Sequence, residues 1–302
     1  MWTAILLWAA NIAVVAILAA FAWREGVAGW MWVAAFVALL LAYAALVFVL
    51  TLFEFALSWI LRAPRPPEER IGFLKTLRMI GSEFVTLLGS PARMMSYGWR
   101  MRDPAPAPSQ MPIVLVHGVL CNAGVWIPMA RKLAAAGLGP VYALSYGPPL
   151  HAMHEFVRQL RQRIDSALEA TGAAQVVVVT HSMGGLILRA YLHAFGAAKI
   201  ARVVTIGAPH HGSGLAHFAP GTCIAQLRPG NPWLRALPLA AAVPPMISLW
   251  SPHDSMVVPQ TSSILAGATN VAFPGIGHNA LLRDNAISAR VAEEIRVAQQ
   301  RP

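Results

Sequence analysis

The sequence is poor in charge and in cysteine. Only 12% of its 302 residues are Asp, Glu, Lys or Arg, against about 25% in an ordinary soluble domain. Two cysteines are too few for a disulfide-stapled miniprotein. A chain that is 57% hydrophobic is far from the composition of disordered proteins, and its glycines follow no collagen-type repeat. The net charge of +10 comes without a basic run interleaved with aromatics, so nucleic acid is not an expected partner. Attraction to anionic lipid accounts for that charge with fewer assumptions.

The shortage of charge is local. Residues 1–61 hold one basic residue, Arg24, two acidic ones, Glu25 and Glu54, and six of the ten tryptophans. Residues 62–110 carry eight Lys/Arg against four Asp/Glu, and residues 111–302 carry fourteen against seven. From Met1 to Trp23 there is no charged side chain. A helix of that length reaches about 35 Å, enough for a hydrocarbon core of about 30 Å. A cleavable signal would start with basic residues, whereas charge begins here only after the apolar run. The stretch from Gly26 to Leu61 can span once more and continue beyond the lipid. Residues 1–61 are therefore expected to form a transmembrane hairpin turning at 23–29. Trp23, Trp30 and Trp32 would lie at one interface, and Trp2 and Trp59 at the other. Arg62, Arg65, Arg70, Lys75 and Arg78 place the C-terminal domain in the cytoplasm of a bacterial inner membrane by the positive-inside rule. The periplasmic side is the alternative. Glu54 is expected at the lipid boundary, because the second helix is overlong.

Residues 62–110 read as a juxtamembrane unit. Ile71, Leu74, Leu77, Ile80, Phe84 and Leu87 fall at helical spacing, with Lys75, Arg78, Ser82 and Glu83 between them. Such a helix can lie among headgroups or pack on the next domain as a strut. The run 103–110, rich in proline, should be a stiff linker and marks the domain boundary.

Residues 111–302 alternate short apolar runs with amphipathic segments. Strands are expected at 113–116, 141–145, 176–180, 203–206, 246–249 and 271–273, and helices near 125–136, 151–170, 184–195 and 284–299. Continuous apolar strands alternating with helices imply an α/β fold, a parallel sheet covered on both faces, with the site at the strands' carboxyl ends.

Chemistry enters at residues 176–189, VVVVTHSMGGLILR. A strand runs into a helix through Ser182, and Gly184 and Gly185 allow the two to pass closely, which is the geometry of a nucleophile elbow. Thr180 stands where a first glycine is usual. In such folds the order is serine, acid, histidine. Asp254 is the sole carboxylate between Ser182 and His278, and His278 the sole histidine after Asp254. The Val119 and Met183 N–H groups are the expected oxyanion donors, one after a strand ending His117-Gly118, the other after the nucleophile. His117 should brace that loop. His210, His211 and His217 lack nearby carboxylates and are expected to hydrogen-bond loops rather than bind metal. Cys121 and Cys223 are expected as free thiols in a reducing compartment, or as a disulfide in the periplasm.

With VLVHG, THSMGGL, TIGAPHHGS, SLWSPHDSMVVP and GATNVAFPGIGHNALL in view, residues 111–302 resemble the α/β-hydrolase lipases and esterases, in particular small, minimal-fold bacterial ones. The resemblance leaves out residues 1–110. It implies a Ser182–Asp254–His278 triad, hydrolysis of fatty acyl esters through an acyl-enzyme, and no cofactor. A bilayer location adds phospholipid, lysophospholipid or acylglycerol as the expected substrate class. Leu215, Phe218, Trp233, Leu234, Leu237 and Leu239 are expected to form a small cap over the site. Acyl transfer to an alcohol other than water, and a non-catalytic membrane scaffold, are the alternatives.

Overall fold

Six short strands, the central ones rich in branched apolar residues, form one fully parallel sheet in the computed structural model, which describes residues 2–26, 29–238 and 244–300. They are β1 (Ile113–Val116), β2 (Val141–Leu144), β3 (Val176–His181), β4 (Ile200–Ile206), β5 (Met246–Trp250) and β6 (Thr269–Ala272), in the order β2-β1-β3-β4-β5-β6. Successive side chains on a strand point to opposite faces. Val114, Val116, Val176 and Val178 accordingly pack with Phe156, Leu160 and Leu186 of α7 (Met153–Thr171) and α8 (Gly184–Phe195). Ile113, Leu115, Val177 and Val179 pack with Met129, Val291 and Ile295 of α6 (Ile127–Ala135) and α11 (Asn285–Gln299) on the other face. The expected α/β architecture is present. β6 begins at Thr269 rather than Val271 because it is an edge strand, largely exposed, and so needs no continuous apolar run.

The N-terminal 100 residues are helical: α1 (Trp2–Glu25), α2 (Gly29–Leu61), α3 (Phe73–Leu88), α4 (Ser90–Met95) and α5 (Tyr97–Arg100). By length and composition α1 and α2 can each cross a membrane. Apolar side chains stand bare around both, among them Ile17, Phe36 and Leu41, each more than 60% exposed. α1 packs chiefly on α4, and α2 on α3, rather than on each other. Of the expected turn, Gly26 has φ +60°, and Val27 and Ala28 lie outside the described residues.

The 33 residues of α2 reach about 50 Å, well beyond a bilayer core. Its last turns lie on the α/β domain, where Thr51, Phe55 and Ser58 are buried. α3 reverses the simplest reading of its amphipathic pattern. Phe73, Leu74 and Leu77 are exposed, while Met79, Glu83 and Thr86 are buried. The linker is tied down at both ends. Arg163 Nη1 donates to Asp103 Oδ2 at 2.7 Å, and the Ser109 N–H donates to the Thr171 carbonyl at 3.1 Å.

The expected cap forms only in part. The stretch 214–238 carries a 3₁₀ turn (Gly214–His217), α9 (Thr222–Gln226) and α10 (Pro232–Arg235). Leu234 and Leu237 turn inward onto the core beneath α7 and α8, Trp233 is partly buried against it, and Phe218 is exposed. Leu239 lies outside the described residues. The inward packing follows from size, because short helices have too little apolar surface of their own to stand clear of the core.

Candidate active site

The chain must leave β3 and enter α8 in one step, and Ser182 makes it with φ +55°. A non-glycine residue in the left-handed region costs about 1–3 kcal/mol and persists only where its surroundings over-determine it. The Ser182 N–H donates to the Ile206 carbonyl at 2.9 Å, and its own carbonyl accepts from the Gly185 N–H at 3.0 Å. A β-carbon at Gly184 would stand 2.6 Å from the Val116 carbonyl oxygen, and one at Gly185 would stand 2.5 Å from Ala208 Cβ. Both glycines are therefore required by the close helix–strand crossing. Thr180 stands where a first glycine is usual and is fully buried at this elbow.

Asp254 and His278 meet over the carboxyl end of the sheet. His278 Nδ1 lies 2.9 Å from Asp254 Oδ2, while Asp254 Oδ1 accepts from the Met256 and Val257 N–H groups, both at 2.8 Å. Burial disfavours the imidazolium, but the Asp254 charge and hydrogen bond, with Glu83 and Glu54 beyond, outweigh this and hold His278 above the ordinary histidine range. The His278 ring lies tilted against that of His181, with centroids 4.6 Å apart, and its carbonyl is 3.1 Å from His181 Nε2, one residue before Ser182. Among the described residues no hydrogen bond joins Ser182 Oγ to His278, and Ser182 is only 9% exposed.

Facing the serine is the β1 loop. A β-carbon at Gly118 would come within 2.9 Å of Ser182 Cβ, so the backbone leading into Val119 passes directly over the hydroxyl. Among the described residues neither the Val119 nor the Met183 N–H has a hydrogen-bond partner. Tyr146 OH donates to the carbonyls of His117 and Gly118 at 2.8 and 3.0 Å and stacks on the His117 ring. Burial brings His117 down to about 3, so it is a neutral brace. His210 and His211 also serve loops, meeting Thr205 Oγ1 and the Ile264 carbonyl. Cys121 and Cys223 are free thiols.

Sequence reading missed what holds the histidine loop from behind. Glu83 of α3 is fully buried. Its Oε1 accepts from the Asn279 N–H and Asn279 Nδ2, and its Oε2 from the Ala280 N–H, all at 2.8 Å. Burial pushes this carboxyl up, against the pull of those donors. α2 clasps the acid loop in the same way. Ser58 Oγ donates to the Asp254 carbonyl at 2.7 Å, and Gln260 Nε2 donates to both Ser58 Oγ and that carbonyl. Glu54, one turn earlier, interacts electrostatically with Glu83, His278 and Asp254. On the opposite flank Thr3 Oγ1 of α1 donates to the Cys121 carbonyl at 3.0 Å, just past Val119. A carboxylate on an amphipathic helix reads as solvated, and nothing local to residue 83 signals its partners nearly two hundred residues away.

A parallel sheet with a serine on a strained strand–helix turn and a buried Asp–His pair on later loops defines the α/β-hydrolase class, and this chain has that fold. Within it, residues 110–213 match the family model described as Lipase (class 2). A triacylglycerol lipase of Burkholderia plantarii is 30% identical over 152 residues, 48% of this chain and 40% of that protein. One of Pseudarthrobacter phenanthrenivorans is 33% identical over 119 residues, 37% of each chain. The chain thus spans well under half the length of these relatives. Among solved structures, the mature form of a Bacillus licheniformis lipase superposes with a TM-score of 0.56 at 20% identity, covering 64% of this chain and 96% of that one. Aspergillus fumigatus lipase B gives 0.56 at 19%, covering 62% and 52%.

Proposed function

We propose that this chain is a membrane-anchored serine hydrolase that cleaves carboxylic esters of fatty acyl chains. The observation that carries the proposal is the Asp254–His278 pair near Ser182 at the carboxyl end of the sheet, where α1 and α2 touch the loops. Ser182 Oγ attacks the ester carbonyl as His278 Nε2 takes its proton, Asp254 orients and stabilises the imidazolium, and the Val119 and Met183 N–H groups receive the oxyanion. The proton passes to the leaving alcohol. Water, deprotonated by His278, then releases the acid and restores Ser182. Two helices apolar all round, their ends clasping loops on both flanks of the serine, support a substrate drawn from lipid: phospholipid, lysophospholipid or acylglycerol. The basic flank from Arg62 to Arg78 supports a cytoplasmic catalytic domain.

A fluorophosphonate probe on the full chain tests this reading: the label is expected on Ser182, and its absence there, or its presence elsewhere, overturns the assignment. Lysophospholipid turnover well above that of a short p-nitrophenyl ester is the expected substrate profile, and the reverse order counts against a lipid substrate. The base must be neutral, so kcat/KM is expected to fall as pH drops through the raised His278 pKa, above the ordinary value of about 6.5.

We further assign Glu83 as a positioning residue. Glu83→Ala leaves the half-buried Asn279 N–H and the buried Ala280 N–H unpaired, the latter at about 1–3 kcal/mol. It is expected to lower Tm and to cut kcat by about 10²-fold through a displaced His278. It also removes negative charge near the imidazole, so the acidic limb of kcat/KM should move to lower pH, a shift that a purely structural role would not produce.

A further inference from the structure

Where α2 ends, the segment that follows it borders, with the start of α3 and His253, a half-open cavity of about 420 Å³. Small-ligand sites run to about 300–1,000 Å³. Its walls include Trp59, Arg62, Arg65, Arg70, Thr76 and His253. No acidic side chain lines it among the described residues. Arg65 Nε and Nη2 are sheltered from solvent and have no hydrogen-bond partner among those residues.

That is an expensive arrangement for an empty site. Buried guanidinium N–H groups are ordinarily satisfied, and clustered like charges repel. Burial and neighbouring Arg62 together bring Arg65 down to about 10, with Glu69 only partly opposing them. His253 adds no charge, since burial and the two arginines hold it at about 4. Its Nδ1 is occupied by the Gly275 N–H at 3.2 Å. The deficit is therefore negative charge with several acceptor oxygens, presented to planar forks. Phosphate supplies both, and guanidinium–phosphate pairing is bidentate and charge-assisted. The cavity opens where α2 ends, with Trp59 in its wall, and clustered arginines that closely follow an apolar helix attract anionic headgroups.

We propose that the Arg62–Arg65–Arg70 cavity is a phosphate-binding site, of the chemistry offered by an anionic phospholipid headgroup or by free phosphate. It is separate from the hydrolytic centre and stands whether or not Ser182 is a nucleophile. The test is thermal denaturation of the full chain in a neutral detergent, with short-chain phosphatidylglycerol or inorganic phosphate added. Saturating phosphatidylglycerol is expected to raise Tm by about 5 °C, and R65Q and R70Q to lose most of that rise. Arg70 is exposed, so R70Q tests the site even if R65Q folds poorly, and it should leave p-nitrophenyl ester hydrolysis unchanged. An equal rise with inorganic phosphate upholds the site with free phosphate as its ligand. A rise with the lipid alone upholds it with the headgroup. No rise with either probe, or an undiminished rise in both variants, overturns the proposal.

Discussion

Ser182→Ala is expected to lower kcat for a p-nitrophenyl ester by about 10⁴-fold or more, with the fold and the docked helices intact. Alanine keeps the backbone bonds that hold the turn, from the Ser182 N–H to Ile206 and from Gly185 back to residue 182. Its methyl group meets the same φ +55° strain that serine already bears. The loss is therefore one nucleophilic oxygen. The Val119 and Met183 N–H groups could still polarise a bound ester, leaving a residual rate above that in water. Fluorophosphonate labelling of the variant should vanish. Ester hydrolysis at wild-type rates would place the nucleophile elsewhere and end the proposed mechanism.

Asp254→Asn is expected to cost about 10⁴-fold in kcat, for a reason specific to how this carboxylate is held. Oδ1 accepts from two backbone N–H groups, Met256 and Val257, so an asparagine must place its carbonyl oxygen there. Its NH₂ then falls where Oδ2 now accepts from His278 Nδ1. Facing a donor, Nδ1 becomes the acceptor and the ring proton moves to Nε2, which would present a donor to Ser182 instead of a lone pair. Two main-chain bonds thus dictate the wrong tautomer. Measuring kcat and Tm together separates this from unfolding: the expected result is a near-wild-type Tm with activity lost. Activity within tenfold of wild type would show that Asp254 does not orient the base.

Much of this was legible because it is local or forced by chain order. β1 and β3 each hold four buried apolar residues in a row and were placed closely, whereas β4 and β6 begin three and two residues ahead of their expected starts, on Ile200-Ala-Arg and on Thr269-Asn, where no continuous apolar run marks them. Ser182, Asp254 and His278 could be singled out as candidates because Asp254 is the sole carboxylate between Ser182 and His278, and His278 the sole histidine after Asp254. α4 and α5 were missed, being only six and four residues long among Pro91, Arg93 and Gly98, with no period long enough to read. Glu83 escaped for a different reason. Amphipathicity says which face of a helix is apolar, but not whether lipid or protein will cover that face. In α3 the apolar side chains Phe73, Leu74 and Leu77 are left outside, and the carboxylate goes in because a loop far away in sequence offers it three donors.

The tethering of residues 103–109 has a kinetic consequence. A hydrolase on a slack leash meets dissolved and bilayer esters alike. Here Asp103 is fastened to Arg163, Ser109 to Thr171, Ser58 to the acid loop and Thr3 to the loop after Val119. Were α1 and α2 to span a bilayer as proposed, these ties would hold the site at a fixed attitude to it. The enzyme would encounter substrate by lateral diffusion within its own leaflet. Its velocity should then follow the mole fraction of ester in that leaflet, and fall on dilution with inert lipid at constant bulk concentration.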